Sequence, residues 1–209
     1  MKQGKFITLE GCEGAGKSLQ LKLLKEYFDK NSIDYIYTRE PGGAEISEKI
    51  RAVILDANNK GMHPVTEALL FAAARVQHIE SVILPALKQG KIVLCDRYID
   101  SSFAYQAYAG GLGYDYIAKI NDRAITTCMP DITLFLNISP ADAFKRKGGA
   151  DANDRIEQNG LVFHEKVYAG YLEMLKKSPE RIVAIDCMGE RKQTHLNILS
   201  ALKERGIIG

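Results

Sequence analysis

Eight residues near the start of the chain, Gly11-Cys12-Glu13-Gly14-Ala15-Gly16-Lys17-Ser18, have the spacing G-x-x-x-x-G-K-[ST]. Glycines at those positions let the backbone curl so that its N–H groups point inward at phosphate oxygens. A helix opening near Lys17 would add the positive end of its dipole. Lys17 would then reach the β- and γ-phosphates of a nucleotide, and the Ser18 hydroxyl would ligate Mg²⁺. A Gly-rich turn is the plain alternative, yet four fixed positions arise by chance in only about 1% of chains this long. The chemistry implied is the handling of a polyphosphate.

Further candidates stand after other apolar runs. In Asp96-Arg97-Tyr98 the carboxylate could hold Mg²⁺ through water, and the Arg97 fork could span two phosphates; a structural Asp–Arg pair is the alternative. In Arg39-Glu40-Pro41-Gly42-Gly43 a turn accounts for Pro41 to Gly43 but does not require Arg39 or Glu40. Arg51 and Arg75 fall on helical stretches and by residue type alone are expected in solvent. Arg75 stands four residues after Phe71, so both share a helix face. That pair suits a flat base, although an amphipathic helix edge is the commoner cause. The cluster Lys145-Arg146-Lys147-Gly148-Gly149, followed by Asp154-Arg155, reads as a lid over about 145–157 or as a solvated loop. The four histidines are scattered and read as surface or core fillers.

A phosphate monoester acceptor is mostly a dianion near neutral pH, because its second pKa is about 6. It needs no general base, only cations that hold two anions in line. An alcohol acceptor would want a carboxylate base, with Glu40 or Asp96 as candidates. The residue pattern leaves both acceptors open.

These residues must be carried by a scaffold, and the apolar pattern gives it. Short β-branched runs recur at Phe6–Leu9, Tyr35–Thr38, Ile92–Cys95, Ile132–Leu136 and Ile182–Ile185. Helical spacing separates them, as in Leu21, Leu24 and Phe28, and in Leu69, Ala72, Ala73 and Val76. Such alternation predicts an α/β fold with a parallel sheet covered on both faces, which binds ligands at the carboxyl ends of its strands. No linker composition interrupts residues 1–209, so one domain is expected. With 46% hydrophobic and 26% charged residues among 209, disorder is excluded, and a net charge of +2 argues against a nucleic-acid binder. Cys12, Cys95, Cys128 and Cys187 form no disulfide or zinc pattern. The apolar runs are too short for a signal peptide or a membrane span, and a cytoplasmic setting is expected. A GTP-dependent switch would need D-x-x-G after the third strand and N-K-x-D later. Asp186-Cys187-Met188-Gly189 falls after the last strand, and N-K-x-D does not occur.

Taken in order, the motifs resemble those of bacterial thymidylate kinases, in the nucleoside monophosphate kinase group of P-loop proteins. They are Glu10-Gly-x-Glu-Gly-Ala-Gly-Lys-Ser, Thr38-Arg-Glu-Pro-Gly-Gly, Leu70-Phe-Ala-Ala-x-Arg, Asp96-Arg-Tyr-Ile-Asp-Ser-Ser-x-Ala-Tyr-Gln and Phe163-His-Glu-Lys-Val-x-x-Gly-Tyr. The resemblance runs from about Phe6 to Arg205. It implies a P-loop kinase fold with a five-stranded parallel sheet, and transfer of the γ-phosphate of ATP to dTMP with Mg²⁺. It places ATP on Gly11 to Leu19, and Mg²⁺ by Ser18 and Asp96. It sets Phe71 on the thymine ring, with Arg75 and Gln106 at the polar edge and Ser102 nearby. By the same resemblance Tyr105 crowds the ribose 2′ position, Glu13 reaches the 3′-hydroxyl, and Arg39 and Arg97 grip the acceptor phosphate. Glu40 organises the metal and phosphate surroundings, Arg51 joins the cationic cleft, and the chain forms a homodimer. Two positions depart from the family pattern. Leu19 stands where a Thr is usual, and Gly148 to Asn153 lacks the lid arginine that members with Ala at position 15 use. Arg146, Lys147 or Arg155 would supply the transition-state charge instead.

Overall fold

The computed structural model describes residues 4–147, 156 and 159–209. Five strands, β1 (Lys5–Glu10), β2 (Tyr35–Arg39), β3 (Ile92–Asp96), β4 (Ile132–Asn137) and β5 (Ile182–Asp186), form one parallel sheet in the order β2-β3-β1-β4-β5. Each expected apolar run lies inside its strand. The central strands are buried on both faces, which is why they read as continuous rather than alternating apolar runs. Phe6, Val93, Cys95 and Phe135 enter one core, while Ile7, Leu9, Leu94, Leu134 and Leu136 enter the other.

Helix α1 (Lys17–Lys30) buries Leu21, Leu24 and Phe28 in the second core. There they meet Ile198, Ala201 and Leu202 of α10 (Arg191–Glu204). Truncating a fully buried Phe such as Phe28 to Ala would cost about 3–5 kcal/mol. Between β2 and β3 lie α2 (Glu45–Leu55) and α3 (Pro64–His78), the latter continued by a π-helical stretch Ile79–Ile83 and by α4 (Leu84–Lys88). After β3 come α5 (Ile99–Ser102), a second π-helical stretch Phe103–Ala109, α6 (Tyr114–Ile120) and α7 (Asp122–Thr127). Helix α8 (Pro140–Lys147) follows β4, and α9 (Gly160–Lys177) precedes β5. Helix α9 lies tight against the Phe103–Ala109 stretch because Gly170 has no side chain. A Cβ there would stand 3.0 Å from Ala104 Cα and from Tyr108 Cβ.

Two expectations about α3 need correction. Of the four apolar positions that predicted the helix, Ala72 is buried but Leu69, Ala73 and Val76 are exposed, whereas Ala68, Arg75 and His78 face inward. Polar side chains can turn inward when partners await them, and these two find theirs on β2 and the following turn. The continuous run Pro64–Lys88, 25 residues containing an 18-residue window of mean hydropathy 1.2, is also long and apolar enough to cross a membrane, contrary to what the short apolar run implied. Its inward Arg75 and His78, hydrogen-bonded to Glu40, mark it as a core helix of this fold.

Register explains why the candidate residues converge. Leu9 pairs with Asp96, and Arg39 pairs with Asp96 from the other side. The carboxyl ends of β1, β2 and β3 therefore lie level, at the point where the strand order turns back on either side of β1.

Candidate active site

The loop after β1 enters α1 through Gly16, which has φ 97° and leaves the helix N-terminus without a side-chain cap. A φ in that region favours glycine, so the motif's second fixed glycine is a backbone requirement. No acidic residue occupies the first turn of α1, so nothing competes with an incoming anion. Lys17 is buried, and its Nζ donates to the carbonyls of Gly11 and Cys12, both at 3.0 Å. Burial lowers its pKa, as does the neighbouring Arg97, against the pull of Glu13 and Asp96. A bound triphosphate offers this ammonium better acceptors than the two carbonyls. Ser18 is exposed beside it.

Arg97 follows β3 with φ 63°, uncommon for a residue with a side chain and frequent at functional turns. Its guanidinium pairs with the Glu13 carboxylate rather than with adjacent Asp96, so the structural Asp–Arg pair is not formed. It also donates to Ser101 Oγ at 3.3 Å and Tyr171 Oη at 3.2 Å, and lies 5.3 Å from the centroid of the Tyr105 ring. Asp96 keeps its Oδ1 buried with no hydrogen-bond partner. An orphaned carboxylate oxygen beside a phosphate cradle suits a hydrated cation. Among the described residues no group of three or more His, Cys, Asp or Glu could hold a metal. Ser18 and Asp96 are the donors beside the cradle that would suit an Mg²⁺ arriving with a bound nucleotide.

Arg75 is only 2% exposed, not solvated as residue type alone implied. Its Nε donates to Glu40 Oε2 at 2.7 Å, Nη1 to Ser102 Oγ at 2.9 Å and Asn121 Oδ1 at 2.6 Å, and Nη2 to the Tyr98 carbonyl at 3.2 Å. The other Glu40 oxygen meets His78 Nδ1 at 3.0 Å, and His78 Nε2 meets Thr38 Oγ1 at 2.6 Å. Glu40 is thus committed to Arg75 and His78 and cannot serve as a free base. His78, read from the sequence as a filler, completes this buried chain.

The π-helical stretch turns Tyr105 and Gln106 toward the same space. Gln106 Nε2 donates to Glu67 at 2.8 Å, which fixes its amide and leaves Oε1 as the acceptor end. Arg39 donates to the Pro41 carbonyl and pairs with Glu48, while Arg51 donates to the same carbonyl. Arg146, on α8, donates to the Cys187 carbonyl at 2.8 Å, against the loop before α10.

One cleft of about 650 Å³ takes in every candidate residue whose side chain is described except Gly11 and Cys12, whose carbonyls hold Lys17. Phe71 lines it, half-buried, on the same α3 face as Arg75. The side chain of Lys147 and the whole of Gly148 to Arg155 fall outside the described residues, and the lid alternatives Lys147 and Arg155 with them. The sequence reading missed Glu10, Ser101 and Tyr171, which surround Arg97 from below. They stood inside motifs already noted, with nothing to separate them from packing residues.

A family model described as thymidylate kinase matches residues 9–198. The chain belongs to the thymidylate kinase family. It is similar to the thymidylate kinases of Thermoanaerobacter sp. (strain X514), at 45% identity over 97% of this chain and 98% of that one. With that of Clostridium novyi (strain NT) it shares 50% identity over 89% and 92% of the two chains. Among solved structures, the thymidylate kinase from Ehrlichia chaffeensis superposes with a TM-score of 0.77 at 32% identity, covering 96% of this chain and 99% of that one. Membership of the thymidylate kinase family accords with the glycine-rich loop, Arg75 and Gln106 lining one cleft.

Proposed function

We propose that the chain transfers the γ-phosphate of ATP to dTMP, giving dTDP and ADP. The observation that carries this reading is the polar corner formed by Arg75 and Gln106. A guanidinium has five N–H donors. Four of Arg75's are given to Glu40, Ser102, Asn121 and the Tyr98 carbonyl, so one remains. The Gln106 carbonyl acceptor lines the same cleft. One donor and one acceptor complement O4 and N3–H of thymine. Cytosine would set its N4 amine against the Arg75 donor and its bare N3 against the Gln106 acceptor, leaving buried groups unpaired.

Phe71 covers the ring, Tyr105 fills the space beside the sugar 2′ carbon, and Glu13 takes the 3′-hydroxyl. Arg97, assisted by Arg39 and Arg51, holds the acceptor phosphate in line with the donor on Gly11 to Leu19. Lys17 leaves its two carbonyls for the β- and γ-phosphates. Ser18 and Asp96 would hold Mg²⁺ beside those phosphates, where it would supply positive charge. Because the acceptor is already a dianion, the committed state of Glu40 costs nothing: its work is to hold Arg75. Arg146 lines the donor end and supplies transition-state charge on release from the Cys187 carbonyl.

The enzyme works as one domain in the cytoplasm, a setting matched by four free, buried cysteines. It acts as a homodimer. Ile46 with Val53 on α2, and Leu69 with Val76 on α3, each place an apolar pair one heptad apart on the surface. Neither nucleic acid nor membrane is a partner.

A coupled ADP-release assay over dTMP, dUMP, dCMP and thymidine tests the reading. dTMP should turn over well and dCMP poorly. Turnover of thymidine without dTMP would replace it with a nucleoside kinase.

A further inference from the structure

Beneath Arg97 lies a buried group to which the phosphoryl-transfer reading gives no task. Glu10, the last residue of β1, is fully buried. Its Oε1 accepts from the backbone N–H of Tyr98 at 2.7 Å and of Ser101 at 3.3 Å. Its Oε2 accepts from Ser101 Oγ at 2.6 Å and Tyr171 Oη at 2.8 Å. Those two hydroxyls are the ones that receive Arg97 Nη1.

We propose that Glu10 is a positioning residue for phosphoryl transfer, orienting the Ser101 and Tyr171 hydroxyls so that their lone pairs fix Arg97 over the acceptor phosphate. The inference rests on the role given to Arg97 above. An ionised carboxylate can only accept. Each hydroxyl that turns its one hydrogen toward Glu10 must face Arg97 with lone pairs, which is what a guanidinium requires. The backbone bonds from Tyr98 and Ser101 hold the turn in which Arg97 keeps its positive φ. Tyr171 reaches in from α9, which packs along the Phe103–Ala109 stretch, so the same carboxylate ties Arg97 to a second element.

Glu10→Gln keeps the shape and reverses the logic. With its amide nitrogen toward the hydroxyls, it donates to them, and their hydrogens are freed to turn to one another, 2.9 Å apart, or toward Arg97. With the amide turned over, the nitrogen meets the two backbone N–H groups. Either the hydroxyls lose the charged acceptor that fixes their hydrogens away from Arg97, or a donor faces two donors in a dry site.

The test measures calorimetric binding of dTMP and of thymidine, with turnover, at a pH above 7, where Glu10 is ionised. In wild type, dTMP should bind more tightly than thymidine, and Arg97→Ala should shrink that difference to what Arg39 and Arg51 sustain; if the difference is unchanged, the role given to Arg97 fails and the inference with it. Glu10→Gln should weaken dTMP about ten- to a hundredfold, the worth of a charge-assisted hydrogen bond, and leave thymidine within about twofold. Turnover should fall with it. Added to Arg97→Ala, Glu10→Gln should cost no further binding. Equal losses for dTMP and thymidine, or a full loss on top of Arg97→Ala, would reduce Glu10 to a structural group and overturn the proposal. Should Glu10→Gln not fold, Tyr171→Phe decides: a selective loss of dTMP affinity supports the inference, and no loss overturns it.

Discussion

Replacing Arg75 by Leu should be one of the most damaging single changes available in the cleft. The substitution removes four hydrogen bonds and leaves Glu40, whose side chain is 4% exposed, with His78 as its remaining partner from this network. Stranding one member of a buried ion pair costs about 3–5 kcal/mol. Asn121 Oδ1 and the Tyr98 carbonyl each lose a donor, at about 1–3 kcal/mol apiece where water cannot replace it. Water entering from the cleft relieves part of this, so the net loss is on the order of 5 kcal/mol. That equals much of the roughly 5–15 kcal/mol by which a domain is stable. Equilibrium urea unfolding, with the slope checked against wild type, measures it. Removing the stranded charge as well, in Arg75→Leu/Glu40→Leu, should recover stability relative to Arg75→Leu alone. Recovery stops short of complete because His78 Nδ1 then loses its carboxylate. A single variant that loses less than about 1 kcal/mol, or a double variant no more stable than the single, would refute the reasoning.

Three further outcomes follow from the geometry. Lys17→Ala should lower turnover by about a hundred- to a thousandfold, the usual cost of one preorganised donor, while dTMP affinity by calorimetry stays near wild type. Arg146→Ala should lower turnover far more than it weakens dTMP binding; unchanged turnover would move the role to Lys147 or Arg155. Burial, with Asp100 second, raises the Glu10 pKa from 4.5 to about 7, against Arg97, Ser101 and Tyr171. The folded state then binds this proton more tightly than the unfolded chain. The cost of ionising Glu10 is absent below pH 4.5, grows as pH rises, and reaches on the order of 3 kcal/mol above pH 7. Urea unfolding across that range should show the decline in wild type and its absence in Glu10→Gln; parallel curves would contradict it.

The scaffold was legible because its signals are local. β-branched runs buried on both faces and a glycine-rich turn before a helix announce themselves within a few residues. The face of α3 was not legible, since Leu69 and Val76 look like a core stripe until the fold sets Glu40, Ser102 and Asn121 opposite Arg75. Partners 27 to 46 residues away in sequence leave no periodicity. The same holds for His78 and Glu10, whose roles come from strand register and from Tyr171, 161 residues further on. Of the lid candidates, Arg146 is the one whose side chain the structure describes, and its partner, the Cys187 carbonyl, is likewise distant in sequence.

Following the label from ATP radioactive at its γ-phosphate tests the central claim most directly. With dTMP as acceptor, the label should appear in dTDP and be confined to its β-phosphoryl group, with unlabelled ADP as coproduct. Label released as inorganic phosphate with no labelled dTDP, or label accepted by thymidine and not by dTMP, would contradict the account.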